Sequence, residues 1–349
     1  MSSPSLVITG LGMVSAVGAD LVGSCAAIRA RISRFREVDT FGTREAHAEG
    51  EPRPVVASPV LSERGPDWAV RLLAQALQDL VRNARLQRRD LARYRLLLSL
   101  PDPTLSPAHA ALHSQLVPLL AARTGMVTVP TSAVAPGGNA GMLQAVQAVL
   151  AAAAQTRWEP CIVAGVDSHL LSEGLARLDR TGRLKSPRNR DGFIPGEGAT
   201  AVLLERRTEA LRRGAAPLAS VVCAETAVEP RAIGSGEPSS GEALTRVLRA
   251  ACAAGVPEGH GWVVCDLNGE SYRFREWGLV RARLTPQLNG LRRIWHPADC
   301  LGDVGASTGG MLLAVAARAF QRGYAPADRA LLWAGSDDGH RTALVLTRQ

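Results

Sequence analysis

Six polar side chains in the C-terminal half are of types that do general acid–base chemistry or hold a hard cation: Asp266, Asn268, Glu270, Asp303, Asp337 and Asp338. The same types cap turns and helices at loop tips, so a structural role competes with the chemical one. Ser132 and Ser307 offer hydroxyl nucleophiles, but neither has a histidine close in sequence, which disfavours hydrolase chemistry. Cys161 and Cys265 offer thiols, yet each sits in an apolar stretch that reads as a core strand. The six cysteines are scattered and form no Cys-x-x-Cys pair, which predicts reduced thiols filling core space and no metal site. Phosphate-binding motifs are missing. There is no P-loop, and Gly10-x-Gly12 lacks the third glycine and the acidic residue of a dinucleotide fingerprint. No cofactor is expected.

The elements that would position these groups follow from periodicity. Residues 5–14 read as a buried strand ending in a Gly-rich turn, and 20–31 as a helix. Residues 32–65 read as loops and cover. Helices are expected over 67–86, 108–123 and 141–154, and strands over 95–100, 127–131, 161–165 and 199–205. After a break at 206–217 the same grammar returns: strand 218–224, helix 240–254, strand 262–266, helix 274–283, helix 310–322, and strands 330–334 and 342–347. Strands alternating with helices predict α/β layers with mostly parallel sheets, built as two similar halves, 1–205 and 206–349.

Composition narrows the class. The 349 residues are 46% hydrophobic and 21% charged, enough to bury a full core without staples and too apolar for disorder. No run of about 18 apolar residues is present, so no membrane-spanning helix is expected. The start, Met1-Ser-Ser-Pro-Ser, carries no secretory signal, and a bacterial, cytoplasmic protein is expected. The net charge is +8, and Lys185 is the only lysine. Arginines are spread along the chain beside acids, and aromatics are only 4%, so no nucleic-acid platform forms.

Three stretches resemble one family, the elongating β-ketoacyl-ACP synthases. They are Val7-Ile-Thr-Gly-Leu-Gly-Met-Val-Ser-Ala-Val-Gly18, then Arg190-Asp-Gly-Phe-Ile-Pro-Gly-Glu-Gly-Ala199 with Val202-Leu-Leu-Glu205, and Gly302-Asp-Val-Gly-Ala-Ser-Thr-Gly309. Their order and spacing also fit, although members of that family are distinctly longer. The resemblance implies a thiolase-like fold, two similar α/β/α halves in a five-layered αβαβα arrangement. It also implies decarboxylative condensation by a thiolate at a helix N-terminus, two histidines, a lysine and an oxyanion hole.

Every catalytic position of that family is changed here. Matching Thr131–Ala140 to the nucleophile motif puts Val134 at the cysteine, with Asn139 further along the same stretch. Asn268 and Asp303 take the places of the two histidines, Ala298 that of the lysine, and Ser336–Arg341 that of the C-terminal gate. Without a thiolate no acyl-enzyme forms, and Asp303 would oppose an enolate rather than stabilise it. The resemblance places Asp266, Asn268, Glu270, Asp303, Asp337 and Asp338 around the old pocket, and His169 at a strand end facing it.

The expectation is a non-catalytic synthase-like protein acting by association, as a homodimer or beside a synthase-type subunit as chain-length factors do, or as a scaffold, adaptor or chaperone. The alternative is an enzyme with a repurposed acidic pocket built on Asp266, Glu270 and Asp303, or a residual decarboxylase or acyl-binding protein. The arginine-rich loop around Arg177, Arg180, Arg183, Lys185, Arg188 and Arg190 suits an acidic partner such as a carrier protein, or is simply solvated.

Overall fold

The computed structural model describes residues 5–43, 53–125, 133–155, 158–255 and 261–349. Strand β1 (Leu6–Ser15) opens with Leu-Val-Ile and is buried along its whole length. Helix α1 (Leu21–Arg29) follows, its start capped by Asp20, whose carboxylate accepts the Gly23 N–H at 2.7 Å. Strands β2 (Arg36–Thr43) and β3 (Arg53–Ala57) form an antiparallel pair of their own. This corrects the expectation of loops alone over 32–65. Val55 and Ala57 have a reason to order, because they bury with Leu175, Leu178, Leu184 and Phe193 in a small separate cluster.

The first half continues with α2 (Trp68–Asn83), β4 (Arg95–Leu100), α3 (Pro107–Thr124), β5 (Ala133–Pro136), α4 (Gly141–Ala153), β6 (Cys161–Ser168), α5 (Ser172–Arg180), β7 (Glu197–Arg206) and α6 (Arg207–Arg212). The second comprises β8 (Ala219–Val228), α7 (Glu242–Gly255), β9 (Trp262–Cys265), α8 (Ser271–Arg283), α9 (Thr285–Leu288), β10 (Arg293–Trp295), α10 (Ala298–Leu301), α11 (Thr308–Arg322), β11 (Arg329–Gly335) and β12 (His340–Thr347). The strand expected over 127–131 lies outside the described residues.

The strands order as β10-β9-β11-β12-β8-β1-β7-β6-β4-β5. Two sets of five repeat one pattern. β1–β7 and β7–β6 are antiparallel and β6–β4 and β4–β5 parallel; likewise β8–β12 and β12–β11 are antiparallel and β11–β9 and β9–β10 parallel. A short antiparallel contact from Leu6↔Val221 to Ile8↔Ala219 joins them. The sheet is therefore mixed, not mostly parallel. β11 and β12 are joined by a tight turn, which antiparallel neighbours permit and parallel ones do not.

Three cores separate five layers. α2 and α3 cover one outer face, α7 and α8 the other, and α4 and α11 lie between the two sets of strands. This is the αβαβα arrangement expected. α11 is buried on nearly every face, and its Ala314, Ala316, Ala317 and Ala319 let strands approach it from both sides. All six cysteines are free and buried. Among the described residues no helix is long and apolar enough to cross a membrane.

Leu313 is fully buried in that central layer, whereas Leu211 on α6 is 56% exposed. Leu313→Ala is expected to cost about 3 kcal/mol, and Leu211→Ala less than about 0.5 kcal/mol. Urea denaturation midpoints check both; equal effects would contradict the layer assignment.

Candidate functional site

The cluster is centred on Asp303, in the turn between α10 and α11, where its carboxylate is buried. Asn139, just before α4, donates from Nδ2 to both Asp303 oxygens at 3.2 Å. Asn268, just after β9, donates to Oδ2 at 2.7 Å. His169, just past β6, donates from Nε2 to Oδ1 at 3.3 Å, and the Gly305 N–H to the same oxygen at 2.9 Å. Burial alone would push the Asp303 carboxyl up, but the bond and charge of His169, with Arg273 and the Gly305 amide, hold it well below the usual range. Burial likewise pulls His169 down, yet Asp303 and Asp167 leave it raised. Both shifts favour one ion pair.

The signature loop 190–199 positions this pair. Asp303 N–H donates to Ile194 O at 2.8 Å, Gly196 N–H to Asp303 O at 2.8 Å, and His169 N–H to Gly196 O at 3.1 Å. Phe193 lies 5.5 Å from the His169 ring. Glu197, fully buried, accepts from Val60 N, Leu61 N, Arg64 and Ser168 Oγ. Asp191 accepts the Ser271 N–H at 2.6 Å and so satisfies the first turn of α8.

A second layer of ion pairs closes the site from outside. Arg183 donates to Glu270 at 2.6 and 3.0 Å and also grips Asp337, at 2.5 and 3.2 Å. Arg273 donates to Asp266 at 2.7 Å. Asp266 also accepts the Gly335 N–H at 2.8 Å, while its Oδ1 has no partner. Burial pushes this carboxyl up to about 6 against the pull of Arg273. Glu276 and Arg341 form a further buried pair at 3.0 Å.

The N-terminal end of α4 is also occupied. Ser336 accepts the Ala140 N–H at 2.9 Å and donates to Gly137 O at 2.7 Å. Gly138 there has φ +43°, and a Cβ on it would lie 2.9 Å from Ser336 Oγ. The cavity bounded by Asn139, Asp266, Asn268, Ala298, Asp303 and Thr308 holds about 10 Å³, room for one water at most. Among the described residues no group of three or more His, Cys, Asp or Glu could hold a metal ion.

Of the residues singled out from sequence, Asn139, His169, Asp266, Asn268, Glu270, Asp303 and Asp337 come together, with Ala298 on the cavity wall. Ser132 lies outside the described residues. Three corrections follow. Asp338 is exposed and binds His340 at 2.9 Å, because the β11–β12 turn points it outward. Ser307 has the spacing of a nucleophile elbow in Gly305-x-Ser307-x-Gly309, but its Oγ is buried against Thr200 Oγ1 at 3.0 Å. Val134 lies inside β5, and α4 starts only at Gly141, so the turn at the helix start is Gly137–Ala140. The thiols are unreactive: burial raises Cys161 to about 11 and Cys265 higher still. Sequence reasoning missed Arg273 and Gly138, and it named Ser336 only within the gate stretch Ser336–Arg341. Arg183 was visible only as one of a run of arginines, and here it turns inward.

A family model for the β-ketoacyl synthase N-terminal domain matches residues 110–210. No curated protein matches the sequence. Among solved structures, a chain of the ishigamide ketosynthase/chain length factor is 18% identical with a TM-score of 0.80, covering 100% of both chains. A chain of AntDE:AntF, a type II polyketide synthase acyl-carrier protein in complex with its ketosynthase bound to the hexaketide, is 14% identical with a TM-score of 0.83, again over 100% of both. The ketosynthase from module 6 of the bacillaene synthase of Bacillus subtilis 168 is 14% identical with a TM-score of 0.79, covering 99% of this chain and 72% of that one. The fold is thus thiolase-like, of the ketosynthase kind. The protein is β-ketoacyl-synthase-like, and similar to the ketosynthase and chain-length-factor group.

The pair at the centre sets a pH dependence. A raised His169 contributes stability below its unfolded value of 6.5 that is lost as pH rises through its folded value. A lowered Asp303 contributes above its unfolded value of 3.8 and loses that contribution as pH falls through its folded value. Asp303→Asn should therefore bring the His169 titration midpoint down, read by NMR of the imidazole Cε1–H. An unchanged midpoint would show that Asp303 does not hold the proton.

Proposed function

We propose that the chain is a non-catalytic ketosynthase-like subunit that works by binding another protein, foremost a synthase-type subunit in polyketide or fatty-acid assembly. The observation that carries this is the filled site. Gly138 and Asn139 stand at the start of α4, where the family resemblance puts a thiolate. Asn268 and Asp303, where it puts two histidines, are bonded to each other. Ser336 takes the Ala140 N–H that could otherwise face an anion. A cavity of about 10 Å³ supports neither an acyl chain nor a carrier arm.

The printed descriptions of two similar structures, a ketosynthase/chain length factor and a carrier protein with its ketosynthase, support a protein partner of that kind. A homodimer, an adaptor and a chaperone are the other forms that association could take. One observation favours the acidic-pocket alternative: the carboxyl of Asp266, raised to about 6 with a free Oδ1, borders the cavity. Against it, Glu270 is held by Arg183 and Asp303 by four donors, which leaves Asp266 without a second free carboxylate to act beside it.

Incubation with acyl- and malonyl-carrier donors should leave the intact mass of the protein unchanged; a stable acyl adduct would sink the non-catalytic reading. Native mass spectrometry of the protein purified from its host should show a stoichiometric complex with a synthase-type subunit. Recovery as a lone monomer, with Asp266→Asn abolishing a biological phenotype, would favour the acidic pocket instead.

A further inference from the structure

A second cleft lies at the far end of α11. That helix begins at the cavity wall with Thr308 and ends at Arg322, ~21 Å away along its axis. The cleft measures about 470 Å³. Val22 and Ala26 of α1 form an apolar side, and Arg29, Arg318 and Arg322 converge on it beside Tyr324. The Arg29 guanidinium sits 4.3 Å over the Tyr324 ring. That ring is stacked on Trp295 at 6.2 Å, and Trp295 meets Trp262 edge-on at 4.7 Å, so the platform is anchored in the core.

The three arginines lack the carboxylate partner that some surface arginines have. Arg93, Arg123 and Arg348 each meet an aspartate. Arg29, Arg318 and Arg322 form no ion pair among the described residues; Arg318 reaches only the amide of Gln321. A single arginine in the last turn of α1 or α11 is accounted for by the helix dipole. Three around one concavity are not, because they repel one another and, among the described residues, no carboxylate lines the cleft.

The geometry points to a binding site for an organic diphosphate. Guanidinium groups match phosphate oxygens bidentately, and one laid over an aromatic ring keeps its N–H edge free for an anion. Three cations suit the charge of a pyrophosphate group. The Val22–Ala26 side and the ring edge leave apolar surface for the organic part, and the volume falls in the usual range for small-ligand sites. Cys25 also borders the cleft, but burial raises its thiol to about 12, so it contributes surface and no chemistry.

Isothermal titration of the full chain with inorganic pyrophosphate, ADP and sulfate tests this. One-site saturable binding of pyrophosphate and ADP is expected, ADP the tighter, with sulfate at least tenfold weaker than either. Arg29→Ala and Arg322→Ala should each weaken ADP at least tenfold, while Arg212→Ala, an exposed arginine on α6, should change nothing. Circular dichroism confirms that the variants fold. Failure to saturate, equal affinity for sulfate and pyrophosphate, or the same loss in Arg212→Ala as in Arg29→Ala would overturn the assignment. None of these readouts depends on whether the Asp303 site is catalytic.

Discussion

A buried carboxylate is costly unless every lone pair finds a donor, and Asp303 meets that demand by drawing on four separate parts of the fold. Asn139 precedes the middle-layer helix α4, His169 ends β6, Asn268 follows β9, and Gly305 leads into α11. The first two belong to one set of five strands and the last two to the other. The charge therefore acts as a tie across the pseudo-symmetric repeat, at the point where a cavity would otherwise open. Oδ1 accepts from Asn139, His169 and the Gly305 amide, and Oδ2 from Asn139 and Asn268, so the loss of one donor weakens the tie without orphaning an oxygen.

The outer ion pairs extend the same logic. Arg183 bridges Glu270 and Asp337, and Arg273 binds Asp266, so the loop after α5, the start of α8 and the β11–β12 turn are fastened together over the centre. The signature loop is retained for its backbone, because Ile194 and Gly196 pair with Asp303 and His169 through main-chain atoms that no side-chain change can remove. The Gly-Phe-x-x-Gly-Glu-Gly block thus holds the Asp303 centre through its main chain, whatever side chains surround it.

Much of the fold was legible. The apolar starts of β1, β6 and β7 and the amphipathic face of α2 specify buried strands and a covering helix by periodicity alone. The β2–β3 pair was not, since its few apolar residues show no clear period and their burial depends on Phe193 and Leu178, far away in the chain. Strand direction was also hidden, as periodicity carries no sign. Within the site, Asp303, Asn268 and Glu270 could be named from motif position. Asp338 could not be told from Asp337, because both are similarly exposed and only their partners differ, Arg183 for Asp337 and His340 for Asp338. Val134 was misplaced by a rule of sequence matching that the start of α4 at Gly141 overrides.

The side chains around Asp303 are mutually dependent. A side chain at Gly138 would meet Ser336, whose hydroxyl is committed to the turn at the start of α4. Ser336 in turn follows Gly335, held by Asp266 and Arg273. A histidine at position 268 or 303 would break the amide-to-carboxylate bond and place a second imidazole near His169, whose affinity for a proton is raised by Asp303 together with Asp167. The site therefore behaves as one cooperative polar network. Such a network yields rigidity and a fixed relation between the two halves.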